Sequence, residues 1–113
     1  MIERAEIVAA LGTVPGIAAS PTTPAVIAAG AAWPVWVSSR WVNSCARDTR
    51  WFVFVALSNA AGDVTVEAGD PLIEQVGMAL EAIGLGGITV EPWQWATEPG
   101  GQTVPVLRVT AVD

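Results

Sequence analysis

Arg50-Trp51-Phe52-Val53-Phe54-Val55-Ala56-Leu57-Ser58 is the stretch on which the reading of this chain turns, seven consecutive apolar residues between a charge and a hydroxyl. Aromatic and β-branched side chains suit a pleated surface. Both alternating sets, Trp51/Val53/Val55/Leu57 and Phe52/Phe54/Ala56, are apolar, so the segment is predicted to be the central strand of a sheet with both faces covered.

The sequence has 113 residues. This is the size of one domain, spanning 1-113, that can bury roughly two-thirds of its unfolded surface. With 52% of residues hydrophobic and 14% charged, the chain is not disordered, and its sparsely charged surface is of the kind a partner completes. All five cationic residues are arginines, and the net charge is -6. This argues against a surface that grips phosphate, which needs clustered Lys and Arg; solubility is the plainer consequence of such a charge. Cys45 stands alone, which rules out an internal disulfide or thiolate zinc site and points to synthesis in a reducing interior. Glu3, Arg4 and Glu6 do not fit a signal peptide, so the mature chain is expected to start at Met1. The uncharged run between Glu6 and Arg40 contains Pro15, Pro21, Pro24 and Pro34, which break any window of about 20 residues able to span a bilayer as one helix.

Ile2 to Leu11 has helical apolar spacing, with Gly12 as a left-handed stop. Thr13 to Pro24 is an irregular crossing. Ala25 to Ala29 reads as a short strand stopped by Gly30. Trp33 to Val42 reads as a longer strand in which Trp36/Ser38/Arg40/Val42 opposes Val37/Ser39/Trp41, a mixture that leaves one face partly covered. Pro34 marks its beginning or a sheet edge. Asn43 to Thr49 is a polar connection into the central strand. After a turn cluster at Ser58 to Asp63 and a short extension at Val64 to Glu67, Asp70 as N-cap and Pro71 at the first helical position open a second helix. Its stripe, Leu72/Val76/Leu80/Ile83, ends at Gly84. Gly77 in its middle is a poor helix former, which implies close approach to another backbone. Ile88 to Ala96 and Thr103 to Val112 form a hairpin around a flexible Glu98 to Gln102 tip. A bulge at Pro92 would bring Ile88/Val90 and Trp93/Trp95 to one face, and Pro92 and Pro105 both blunt an edge. The expected fold class is α+β, a mainly antiparallel or mixed sheet of about four to five strands with two helices packed on one face.

Six tryptophans are too many for so small a core. Trp51 is assigned to the interior. Trp33, Trp36, Trp41, Trp93 and Trp95 cannot all join it, and tryptophan and arginine concentrate as anchors in protein contacts. Those five residues, with Arg40, Arg47, Arg50 and the tip residues Pro99 and Gly100, are the candidate subunit or partner contacts. The plainer reading makes the tryptophans partly buried rim residues. A carbohydrate platform at Trp93/Trp95 lacks the polar partners such a site needs. No histidine is present to activate Ser38, Ser39, Ser58 or Cys45. Asp63/Glu67/Asp70/Glu74 follows no calcium-loop pattern, and Gly84-Leu85-Gly86-Gly87 follows a helix where a phosphate cradle would open one. No enzyme activity, cofactor or metal is expected.

Taken together, the leading helix, the Pro-rich crossing to Trp33-Pro34, the Arg50 to Ser58 strand, the Asp70-Pro71 helix ending at Gly84 and the closing hairpin with Val104-Pro105-Val106-Leu107 form one layout. It resembles that of the small tail terminator proteins of long-tailed bacteriophages, particularly those infecting actinobacteria. The resemblance covers nearly the whole chain and rests on layout, and related neck and head-completion proteins share a similar fold and size. It implies a structural virion protein at the head-proximal end of the tail, made in the host cytoplasm, that forms a hexameric ring on the tail tube protein. Such a ring stops tube polymerisation and presents a surface to the head-tail connector, while DNA passes the bore without specific binding. In this reading the tip and the Arg40/Arg47/Arg50 group contact a neighbouring subunit or the tube. The alternatives are a neck or head-completion protein, or a small cytoplasmic α+β protein-binding module with a cavity lined by Trp36, Trp41 and Trp93.

Overall fold

The computed structural model describes residues 2–25, 27–43, 46–57, 63–96 and 103–113, excepting the side chains of 42–43, 46–47 and 63–71. The chain runs as helix α1 (Arg4–Leu11), strands β1 (Ala18–Ala19), β2 (Ala31–Asn43) and β3 (Ala46–Ala56), helix α2 (Asp63–Ala82), and strands β4 (Gly86–Ala96) and β5 (Thr103–Val112). The strands form one sheet in the order β1-β2-β3-β5-β4. The β1/β2 pair is parallel and the other pairs are antiparallel, so the sheet is mixed and the fold is α+β. No helix among the described residues is long and apolar enough to cross a membrane.

Strand β3 lies at the centre, as its two apolar faces require. Residues paired across an antiparallel ladder share a face. Val53, with Pro34 on β2 and Val109 on β5, therefore marks one side, and Phe54, with Trp33 and Arg108, marks the other. On the first side Trp51, Val53, Val55 and Leu57 pack with Ile7 and Leu11 of α1 and with Val76 and Leu80 of α2, all buried. Both helices thus cover one face. Helix α2 ends in a left-handed turn at Gly84 (φ 98). There the Gly84 N–H donates to the Glu81 carbonyl at 3.0 Å and the Leu85 N–H to the Leu80 carbonyl at 3.2 Å, the paired closure that satisfies the last carbonyls of a helix.

Several local expectations give way to longer-range pairing. The described residues 25 and 27–29 are not in a strand. The two-residue β1 takes the place beside β2, with the Ala18 N–H donating to the Gly30 carbonyl and the Ser20 N–H to the Ala32 carbonyl, each at 2.9 Å. Gly12 is right-handed (φ -64); α1 instead closes by short bonds from Thr13 to Ala10 and from Val14 to Leu11. The segment from 46 to 49 belongs to β3, because β2 continues to Asn43 and its register carries the pairing outward. Helix α2 begins at Asp63, which places Asp70 and Pro71 inside it; a proline there forfeits one backbone bond, so the Asp-Pro start signal misplaces the helix end. The register of β4 is continuous from Thr89 to Ala96 and shifts instead between Gly86 and Thr89. Ile88 and Val90 consequently face the helices while Trp93 and Trp95 face away. Pro105 lies on β5, between two strands, and its carbonyl accepts the Leu57 N–H at 3.0 Å.

Two glycines separate backbone demand from propensity. Gly30 has φ 89, and a Cβ there would lie 2.3 Å from the Gly16 carbonyl oxygen. Gly77 has nothing within 4 Å of an added Cβ, so close backbone approach does not explain it. Gly77→Ala is expected to stabilise the protein by about 0.5–1 kcal/mol through helix propensity. Gly30→Ala is expected to cost at least about 2 kcal/mol in strain and displacement. Denaturant midpoints of the two variants, measured side by side, check both signs.

Candidate protein-interaction site

The sheet face without helices is an aromatic belt. Trp33 of β2 stacks on Phe54 of β3 (centroids 5.8 Å apart, planes at 30°) and meets Trp95 of β4 edge-on at 5.3 Å; Phe54 contacts Trp95 at 4.8 Å and Phe52 at 5.9 Å. Such offset and edge contacts add about 0.5–1.5 kcal/mol each beyond the area they bury. With Ile27 and Val104 packed against it, this cluster closes the part of the face nearest Ala56. Trp33, Phe54, Ala56 and Val106 are all buried. That part of the second face is thus closed by this chain itself, because the sheet's own aromatic side chains pack against one another across it.

Towards the other end the belt opens. Phe52 is half-buried and Trp93 is 44% exposed. Between them the Arg108 guanidinium lies 3.8 Å from the Trp93 ring centroid and 4.8 Å from that of Phe52. It donates through Nε to Glu91 Oε1 at 2.9 Å and also through a terminal nitrogen to the same oxygen. An ion pair whose carboxylate side chain is 43% exposed contributes about 0–1 kcal/mol, and the indole contact adds about 0.5–1 kcal/mol. The guanidinium occupies one side of the Trp93 ring and the Trp95 ring contacts Trp33 and Phe54, so the pair is not a flat platform for a sugar.

The second feature is a ribbon. Strand β1 reaches only Ala32 of β2, and β5 leaves β3 at Arg50. Between Val37 and Thr49 the β2 and β3 strands are therefore paired with each other alone. The base of this ribbon is held by both ends of the fold: the Asp113 N–H donates to the Thr49 carbonyl at 2.9 Å, and the Ile2 N–H to Asp113 Oδ2 at 2.6 Å. A register shift between Trp36 and Ser38 adds a residue to one strand. Trp36, Ser39 and Trp41 thereby come to the helix-bearing face, where strict alternation would set Trp36 against the other two. Trp36 Nε1 donates to Ser39 Oγ at 3.1 Å, and Ser39 Oγ lies 3.2 Å from Thr49 Oγ1. Trp36 is 53% exposed and Trp41 69%; Arg40, Asp48 and Arg50 are also exposed.

The candidate contact residues thus separate. Trp41 and Arg40 sit on the ribbon and Trp36 and Arg50 at its base, with Arg47 opposite Trp41 in the β2/β3 register. Trp93 is at the open end of the belt. Trp33, expected at a contact, is fully buried against Phe54 and Trp95 and belongs to the core, and Trp95 is half-buried beside it. Pro99 and Gly100 lie outside the described residues. Trp36 and Trp41 are on the opposite face from Trp93, so these three line no common cavity. Arg108 and Glu91 are not among the residues that composition and motifs single out. The signal for them is that Glu91 and Arg108 are equidistant in sequence from Pro99-Gly100 and so fall opposite each other in the hairpin.

Compared with models of known protein families and with curated protein sequences, the chain matches none.

Trp33→Ala is expected to cost about 3–5 kcal/mol, as for a large core deletion, and Trp36→Ala within about 1 kcal/mol. Arg108→Ala is expected to cost about 1–2 kcal/mol and to shift the Trp93 emission. Urea unfolding followed by tryptophan fluorescence checks all three.

Proposed function

We propose that this protein is a non-catalytic structural component of a bacteriophage virion, which closes the tail tube as a ring of copies and offers the surface to which the head connector joins. The phage assignment rests on the resemblance in layout, carried by the central apolar strand, the helix ending at Gly84 and the closing hairpin. What supports assembly is one observation: the ribbon extends beyond the sheet with Trp36, Val37 and Trp41 exposed at 53%, 37% and 69%. Large apolar groups concentrated on a projection suit a head-to-tail contact, which closes into a ring when its rotation permits. A net charge of -6 per copy, repeated around such a ring, favours a bore along which DNA slides without adhering.

The test is the mass of the purified protein in solution, alone and with tail-tube protein. Rings, or capped tubes of limited length, are expected. A protein that stays monomeric and leaves tube growth unchanged overturns the reading. Binding to head-connector protein with no effect on tubes assigns it to the neck.

A further inference from the structure

The charge of this chain is unevenly distributed. Residues 36–50 carry Arg40, Arg47 and Arg50 against Asp48, a balance of +2, while the remainder carries two arginines against ten carboxylates, a balance of -8; together these make the net -6. The ribbon is thus a basic, indole-bearing projection on an acidic body. Among the described residues, large exposed hydrophobic side chains off the ribbon are Met78 on α2, 63% exposed, and Trp93 on the open sheet face. These two patches differ in charge. Trp93 lies under the Arg108 guanidinium, so a basic partner gains nothing there. Met78 is four residues after Glu74 and three before Glu81, a spacing that sets all three on one stripe of the helix, and both glutamates are exposed. Beside Met78 a shallow groove runs between α2 and the turn after α1, lined by Val14, Pro15, Gln75 and Ala79.

We propose that the ribbon of one copy docks on the Glu74/Met78/Glu81 face of α2 in the next copy, the indoles covering Met78 and the groove while the net positive charge of the ribbon is drawn to the two glutamates. This assignment rests on the ring-forming reading above and names its two mating surfaces. They are different parts of the chain, so the contact is heterologous and each copy has one of each to offer, as a closed ring requires. Arg40 and Arg50 lie on the face of the ribbon opposite Trp36 and Trp41, so they act on the glutamates through the thickness of a single sheet layer, within a Debye length of about 8 Å at physiological salt.

Reversal of each surface in the full chain provides the test. Arg40→Glu with Arg50→Glu takes residues 36–50 from +2 to -2; in a second variant, Glu74→Arg with Glu81→Arg makes the α2 face basic. Sedimentation with tail-tube protein present is expected to show self-association at least about tenfold weaker for either variant alone, from like-charge repulsion. Their equimolar mixture is expected to recover wild-type assembly, because each ribbon then finds an opposite charge on the other variant; this recovery also shows that both variants fold. Variants that assemble alone as the wild type does, or a mixture that stays unassembled, overturn the docking while leaving the ring reading intact. A wild-type protein that does not assemble on tubes overturns both.

Discussion

Strand β3 is hydrogen-bonded along both edges and apolar on both faces, and the rest of the molecule is arranged to satisfy it. Two helices suffice for one face: Ile7, Leu11, Val76 and Leu80 meet Trp51, Val53, Val55 and Leu57 in a single buried cluster. Each large side chain buried there contributes about 1.5–3 kcal/mol before entropy is subtracted. Among the described residues no third helix covers the other face. Indoles and phenyl rings from β2, β3 and β4 solve the problem by lying across the sheet, since one large ring covers the ground of two aliphatic side chains.

That solution has polar consequences. The Nε1 atom of Trp33 is buried with no hydrogen-bond partner, as is that of Trp51 beneath the helices, and each such donor costs about 1–3 kcal/mol. The face is also closed only where the rings overlap. Where they stop, Arg108 stretches between Phe52 and Trp93 with Glu91 beside it. Its aliphatic stem covers apolar surface while its head keeps charged partners, so the belt ends in a capped margin.

The ribbon follows from a mismatch of strand lengths. Strand β2 has 13 residues and β3 has 11, whereas β5 pairs with β3 only from Arg50 to Ala56. The surplus projects, braced at Thr49 by Asp113 and through it by Ile2. A two-stranded ribbon is marginal in isolation, so this anchoring by both chain termini is what allows indoles to be presented away from the body. Molecular extents of 47 × 31 × 21 Å agree with an elongated shape.

How much of this was legible in advance depended on whether the signal was local. The central strand, the α2 stripe, the Gly84 stop and the closing hairpin could be read because burial on both faces, 3.6-residue periodicity and left-handed closure are each written in a few adjacent residues. The assignment of tryptophans was legible only for Trp51. Whether Trp33 turns inward and Trp36 outward depends on the register of β2 against β3, and the face that Trp41 joins depends on the shift after Trp36; neither leaves a mark in the alternation pattern. The start of β3 was decided by its pairing with β2, and the place beside β2 was taken by β1, because a backbone follows the hydrogen bonds its neighbours offer over its own weak preference. By itself the sequence determined that β3 would be central and doubly covered, since its residue types allow no other environment. Only the tertiary structure decided which side chains do the covering and where the strands outrun the sheet, since those depend on register and on strand lengths compared across the whole fold.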